Sequence, residues 1–290
     1  MAVEGASPST PARPGDVATH RRSQSRARPR LDLMSAFAIP GILLALFIAV
    51  PLAALVYRAA SSGDLLDALS KPIVRDALRL SATTSLITLV IAVGVGTPLA
   101  YVLARSSFPG KRLLDTLIDL PIVLPPVVAG VALLMAFGRR GVFGDELRAT
   151  GIELAFTTKA VILAQVFVSA PFYIRAAKAG FQSIDQTLEQ MAYTLGASRW
   201  RTFVQVTLPL AFPAVLGGIV LCWARALSEF GATMMFAGNF RGRTQTMPLA
   251  IMTAMESDLF AALSISVILL AVTFLILLLL RAYTGDGVRA

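Results

Sequence analysis

Residues 183–209, SIDQTLEQMAYTLGASRWRTFVQVTLP, are a polar interruption between two long apolar segments. Apolar residues in its first half follow the i, i+3, i+4, i+7 spacing of one helical face. They are Leu188, Met191, Ala192 and Leu195. Ser183 and Gln186 have the spacing of a capping box, and Asp185 suits the positive end of a helix. The stretch therefore predicts a short amphipathic helix outside the membrane.

Gly196 is expected to end this helix, because glycine turns the chain at little steric cost. A second stripe of helical spacing follows: Trp200, Phe203, Val204 and Thr207. We expect Leu208-Pro209 to stop that pattern. Two short amphipathic helices joined at a glycine predict a protrusion that fits a groove in a partner. The alternative is an amphipathic loop that lies on the lipid surface, and Trp200 is also typical of an anchor in the membrane interface.

The same stretch resembles the coupling loop of ABC importer permeases, E-A-A-x3-G-x9-I-x-L-P. Gly196 and Leu208-Pro209 keep the spacing, whereas Gln190-Met191-Ala192 occupies the E-A-A positions and Glu189 lies one residue earlier. The resemblance implies a helix that docks on a cytosolic ATPase subunit. The residues it assigns to this contact are Glu189, Gln190, Met191, Ala192, Leu195, Gly196, Ala197, Trp200, Phe203, Leu208 and Pro209.

Composition places the chain among polytopic membrane proteins. Hydrophobic residues make up 56% of its 290 residues and charged residues only 15%, whereas soluble domains carry about 25% charged residues. The net charge of +9 is largely local to the N-terminus, so nucleic acid is not an expected partner. With a single cysteine, Cys222, and a single histidine, His20, we expect neither a disulfide framework nor a metal site, and no cofactor.

Six apolar runs are each near the ~20 residues that cross a bilayer, so the predicted fold class is all-α with about six transmembrane helices. They lie at about 34–57, 81–104, 117–137, 159–179, 211–236 and 260–281. Prolines in the third run predict a kinked or broken span: Pro121, Pro125 and Pro126. The fourth run is the weakest of the six, because Gln165, Ser169 and Pro171 dilute it.

Residues 1–32 are rich in Pro, Ser, Ala and Arg, which predicts a disordered basic tail. The permease domain is expected at 33–284 and a short C-terminal tail at 285–290. The tail carries six arginines, at positions 13, 21, 22, 26, 28 and 30, which predict that both termini are cytosolic. Without the tail, the basic residues divide almost evenly between the two sides, so the orientation depends mainly on these arginines.

Arg225 and Glu229 lie four residues apart in the fifth predicted span, and so on one face of a helix. Ionised groups in a membrane are costly and need a partner, water or each other. One interpretation is that this face lines or gates a polar path. The other is a structural ion pair that fixes one helix against its neighbours.

Residues 228–233, SEFGAT, with Gly238-Asn239 and the run from Thr244 to Leu249, resemble the permease subunits of molybdate ABC transporters. Sulfate permeases share the E-F-G-A core, which leaves a sulfate or thiosulfate permease as the alternative. The resemblance covers about residues 35–282 and implies the type I importer fold. It assigns a path or gate to Arg225, Ser228, Glu229, Phe230, Gly231 and Thr233.

The resemblance also implies partners. These are a second copy of the chain, two cytosolic ATPase subunits that bind ATP and Mg²⁺, an external oxyanion-binding protein, and the lipid of a bacterial inner membrane. Arg241 and Arg243 fall in an outer loop, where they would either contact the binding protein or remain solvated.

A catalytic role for the chain itself is not expected. The sequence has no G-x-x-x-x-G-K-[ST] phosphate loop, and its one histidine lies in the tail, which leaves no Ser/His/Asp triad. A hypothesis of another class is a membrane scaffold that recruits a cytosolic partner without transport.

Overall fold

The computed structural model describes residues 33–61 and 70–285. The chain divides into two compact units, residues 1–51 and 52–290, with the boundary inside the first helix. That helix, α1, spans Leu33–Ser61. The predictions for the N-terminal tail, residues 1–32, and for residues 286–290 lie outside the described residues.

The second unit is all-helical over its described part. Its long helices are α2 (Pro72–Arg105), α6 (Thr158–Ser183), α9 (Leu208–Leu227) and α12 (Leu259–Gly285). Shorter helices are α3 (Lys111–Val123), α4 (Pro126–Phe137), α5 (Gly144–Ala149), α7 (Gln186–Thr194), α8 (Arg199–Thr202), α10 (Gly231–Ala237) and α11 (Met247–Ser257).

Among the described residues, five helices are long and apolar enough to cross a membrane, and a bent pair of helices brings the total to six. The all-helical class and the number of spans are therefore confirmed. The bent pair is α3 and α4, which meet at 119° across Leu124 and Pro125. Because Pro125 and Pro126 have no backbone N–H to donate, the helix breaks where the sequence predicts it.

The fourth predicted span, α6, is the centre of the bundle rather than a marginal helix. It packs against both α2 and α9, and its apolar window is the most buried of the candidate spans. Its polar residues contact neighbouring helices: Gln165 accepts a hydrogen bond from Thr88 of α2 (3.1 Å), and the Ser169 hydroxyl accepts one from the Cys222 thiol of α9 (3.5 Å). A helix shielded from lipid can carry polar side chains as contacts between helices, which explains its low hydrophobicity.

The fifth predicted span, 211–236, is wrong at its C-terminal end. The helix stops at Leu227, and a new short helix, α10, begins at Gly231. At the other end, the helix extends beyond the predicted start. Residues 199–227 run as one apolar span in which a π-helical turn, Phe203–Thr207, joins α8 to α9.

Candidate functional site

Helix α7, the first half of the coupling loop, begins at an aspartate cap. The backbone N–H of Thr187 donates to the Asp185 carboxylate (2.9 Å), which lowers the pKa of Asp185. The predicted capping box is wrong, because Ser183 is the last residue of α6 and its hydroxyl donates to the Gly180 carbonyl (2.8 Å). The local sequence thus starts α7 two residues later than predicted.

Gly196 ends α7 in a left-handed conformation, as its position predicts. Its φ is +84°, and the backbone N–H groups of Gly196 and Ala197 donate to the carbonyls of Tyr193 and Ala192, both at 3.0 Å. This pair of bonds is a Schellman motif, which satisfies the last carbonyls of the helix. The angle between the two halves of the loop therefore depends on one backbone conformation.

The second half of the loop does not end at Leu208-Pro209, which corrects the prediction. Ser198 caps α8, accepting from the Arg201 N–H (3.3 Å), and the chain continues without interruption into α9. The N–H of Leu208 donates to Phe203, five residues back, in the π-helical turn. Pro209 follows directly after this turn, so the continuous helix passes a residue that has no N–H to donate. The coupling loop is therefore joined to a span without a break.

The coupling loop presents an exposed apolar face. Leu195 is 88% exposed and Trp200 is 74% exposed, and Leu188 and Met191 are also exposed. Gln190 is exposed as well, whereas Ala192, Ala197 and Phe203 are partly buried. This concentration of large exposed apolar residues in one short segment is typical of an interaction surface.

Glu189, which the resemblance assigned to the contact with the ATPase, is instead buried inside the chain. Its Oε1 accepts hydrogen bonds from Arg105 Nη2 (2.9 Å), Arg105 Nε (3.2 Å) and Thr207 Oγ1 (2.8 Å). Arg105 is the last residue of α2, and no motif of the sequence singles it out. No local pattern links residues 84 positions apart, so this contact could not be predicted.

A cavity of about 850 Å³ separates the end of α2 from the coupling loop. Arg105 and Glu189 lie in its wall together with Thr97, Tyr101 and Trp200. The Arg105–Glu189 contact therefore lies at the edge of a large cavity between α2 and the loop.

The predicted path residues lie at a junction of two interrupted helices. The first interruption precedes α4 at Pro126, and the second precedes α10 at Gly231. A Cβ on Gly231 would lie 2.8 Å from Pro126 Cβ and 3.2 Å from the Val127 nitrogen. Gly130 is as close to α10, since its Cβ would lie 2.8 Å from Ala232 Cα. The structure therefore adds Pro126, a residue of the third predicted span, to this site.

Arg225 and Glu229 form an ion pair, but they do not share a helix. Arg225 lies in the last turn of α9, whereas Glu229 lies in the break that follows Ser228. Arg225 Nη2 is 2.7 Å from Glu229 Oε2, and the Glu229 side chain is 0% exposed. Its other oxygen accepts from the Ala232 N–H (2.8 Å) at the start of α10. Glu229 thus links α9 to α10 across the break, which explains why the helix ends there.

The other residues assigned to the path differ in their exposure to solvent. Gly231 and Thr233 are buried, whereas Ser228 and Phe230 are exposed. The Thr233 hydroxyl is enclosed and has no hydrogen-bond partner within the described part of the chain. The junction therefore combines a buried charge pair, an enclosed hydroxyl and two exposed residues.

Replacing Gly231 with alanine should destabilise this junction. The new methyl group would overlap the Pro126 ring, and overpacking of this kind costs about 1–3 kcal/mol. Thermal unfolding of the purified protein in detergent would measure the loss. The matched control is Gly217→Ala in α9, where a Cβ meets no atom within 4 Å and no loss is expected. Equal melting temperatures for the two variants would contradict the close approach.

Arg241 and Arg243 differ in their surroundings. Arg241 Nε is 3.7 Å from Asp76 Oδ2, and both side chains are about half exposed. Arg243 is exposed, and its carbonyl accepts a hydrogen bond from Thr158 (2.8 Å). Among the described residues, an acidic partner therefore lies beside Arg241 and none lies beside Arg243. Within the described ranges, no group of His, Cys, Asp and Glu side chains is suited to hold a metal ion.

These features define a class: an all-helical membrane permease with interrupted helices and an exposed coupling loop. Residues 96–289 match the family described as the binding-protein-dependent transport system inner membrane component. The chain belongs to this family.

Two relatives are similar over much of their length. The molybdenum transport system permease protein ModB of Mycobacterium tuberculosis is 42% identical over 89% of this chain and 98% of its own. The molybdate/tungstate transport system permease protein WtpB of Thermococcus kodakarensis is 43% identical over 69% of this chain and 76% of its own.

Solved structures support the fold. A bacterial ABC transporter that imports the acidic polysaccharide alginate matches 88% of this chain and 95% of its own, with a TM-score of 0.70 at 18% identity. An amino acid ABC transporter matches 74% of this chain with a TM-score of 0.53 at 17% identity. The predicted permease fold of ABC importers is confirmed by these similarities.

Proposed function

We propose that this chain is the permease subunit of an ATP-driven importer of molybdate or tungstate. The observation that carries the proposal is its 42% identity to a molybdenum permease over 98% of that protein's length. The geometry supports it in two places, since a coupling loop and an interrupted-helix junction occur in the same unit. Sulfate or thiosulfate is the alternative cargo, because these anions share the tetrahedral geometry and charge of molybdate.

The partners are proposed from the same comparison. Two copies of the chain would enclose the path, and a cytosolic ABC ATPase would dock on the exposed face of each coupling loop. An external binding protein would deliver the anion, and Arg243 is the better candidate for that contact because Asp76 compensates Arg241. ATP and Mg²⁺ would be bound by the ATPase, so the chain itself would need no cofactor.

The mechanism that follows is a rigid-body switch. Closure of the ATPases would move α7 and α8, and the uninterrupted connection from α8 to α9 would carry this movement into a span. At the far end of α9, the Arg225–Glu229 pair would couple it to α10 and to the junction with α4. Such rearrangements switch between discrete packed states rather than deform continuously.

Uptake into vesicles tests the proposal. The chain, its ATPase and its binding protein are reconstituted, and entry of radiolabelled molybdate is followed with and without ATP. ATP-dependent uptake that excess tungstate competes and excess sulfate does not is the expected result. Competition by sulfate would favour the alternative cargo. ATPase recruitment without uptake of either anion would favour the scaffold hypothesis.

Both termini are proposed to be cytosolic, and the N-terminal arginines are the reason. Replacing the six arginines between positions 13 and 30 with glutamine should weaken the orientation, because basic residues are retained on the cytosolic side. Reporter fusions at both termini measure the side on which each is exposed. Deletion of residues 2–20 is the control and should spare transport. An external N-terminus in the unmodified protein would contradict the orientation.

A further inference from the structure

Glu189 is the one carboxylate of the coupling loop that is buried, and its contacts join three elements. Arg105 reaches it from the end of α2, and Thr207 reaches it from the π-helical turn. The side chains of Arg105 and Glu189 are only 11% and 8% exposed. A charge pair so shielded from water is held in a defined geometry, unlike an exposed one.

Arg105 holds α7 at two points. Besides Glu189, its Nη2 donates to the Ile184 carbonyl (3.3 Å), which lies just before the start of α7. An 850 Å³ cavity lies beside these contacts. Tyr101 of α2 also makes a side-chain hydrogen bond with Tyr193 of α7, but Arg105 supplies the only ion pair between α2 and α7 among the described residues.

The opposite end of α2 is tied to the segment that follows the interrupted helix. The Met247 N–H donates to the Ser81 hydroxyl (2.8 Å), and Asp76 pairs with Arg241 (3.7 Å). Val74 and Ala77 pack in one apolar cluster with Met247 and other residues of α11 and α12. With 34 residues, α2 is about 51 Å long at 1.5 Å per residue. One helix thus contacts the coupling loop at one end and the 241–254 segment at the other.

We propose that Arg105 and Glu189 are positioning residues that transmit movement of α7 to α2, giving the transporter a second mechanical route beside that through α8 and α9. The inference rests on the proposed function, because it requires an ATPase that moves α7. A buried ion pair by itself is weak evidence for a role in stability, since replacing both members with apolar residues of similar volume is often neutral. What the pair adds is a fixed position of α7 relative to the end of α2, beside the cavity.

The test measures anion transported per ATP hydrolysed in the reconstituted complex of permease, ATPase and binding protein. Glu189→Ala should lower this ratio roughly tenfold, within the usual range of coupling between sites. Glu189→Gln keeps an acceptor for Thr207 and Arg105 and should recover part of the ratio. Thr207→Val removes one hydrogen bond and should lower the ratio by less than Glu189→Ala does.

The matched control is another ion pair of the same chain. Lys178 and Asp115 are 2.6 Å apart and partly buried, but they join α6 to α3 and not to α7. Asp115→Asn should leave the ratio unchanged even if it lowers the melting temperature. If Glu189→Ala fails to assemble, the ratio of anion transported to ATP hydrolysed in Glu189→Gln and Thr207→Val tests the inference instead. An unchanged ratio in these variants overturns the inference, whereas absence of uptake by the unmodified complex overturns the proposed function instead.

Discussion

Gly196→Val should leave the protein in the membrane while uncoupling ATP hydrolysis from anion uptake. The backbone at Gly196 has φ +84°, a conformation in which a β-branched residue is a genuine outlier. Residues other than glycine lose roughly 1–2 kcal/mol there. Because a Cβ at this position meets no atom within 4 Å, the cost falls on the backbone alone. The chain should relieve it by changing the angle between α7 and α8, without unfolding the bundle.

The measurements are substrate-stimulated ATPase activity and uptake in the same vesicles. Gly196→Asn is the first control, because asparagine tolerates the left-handed conformation and should retain much of the coupling. Gly110→Val is the second, since Gly110 has φ +87° and equally open surroundings but lies outside the coupling loop. Normal stimulation and normal uptake in Gly196→Val would refute the assignment of 183–209 as the coupling loop.

Local signals explain what the sequence could predict. A run of about 20 apolar residues specifies a span by itself, and a glycine after a helical stripe specifies a turn. The break at Pro125 and Pro126 is equally local. For these reasons the number of spans, the interrupted third span and the turn at Gly196 all follow from short stretches of the chain.

The break in the fifth span has no such signal. Residues 228–230 read SEF, with no proline or glycine before Gly231, and the surrounding hydrophobicity is high. The helix ends because Glu229 accepts from the Ala232 N–H and pairs with Arg225, so its carboxylate starts the next helix. Two structures are possible here: α9 could continue, or the Glu229 carboxylate could cap a new helix. The spacing of apolar residues does not distinguish between them.

The other features that the sequence did not predict are contacts between residues far apart in the chain. The close approach of Gly231 to Pro126 and the Arg105–Glu189 pair both join segments that no motif connects. The fourth span, α6, looked weak for a related reason. Its low hydropathy reflects burial between other helices, and it is still apolar enough to cross a membrane. The sequence singled out these stretches as candidates for the site, but it did not show which contacts hold them together.

Arg225 and Glu229 should be energetically coupled, because removing either side chain should leave the charge of the other without a partner. The Glu229 side chain is fully enclosed and that of Arg225 is 25% exposed. Breaking a buried pair typically costs about 3–5 kcal/mol, because an uncompensated charge remains. Arg225→Met and Glu229→Gln are therefore each expected to lower stability markedly, whereas the double variant should recover much of the loss. A thermal double-mutant cycle measures the coupling.

Uptake by the double variant then distinguishes the two interpretations of the pair. If it only fixes α9 to α10, Arg225→Met/Glu229→Gln should recover both folding and transport, since glutamine still offers an oxygen to the Ala232 N–H. If it lines the path, the variant should fold yet transport slowly, because a dianion would meet a different charge pattern. The control cycle uses Arg139 and Glu153, an exposed pair at 3.4 Å whose coupling should be about 0–1 kcal/mol. Single variants of Arg225 and Glu229 as stable and active as the parent would show that the pair is not buried in the assembled transporter.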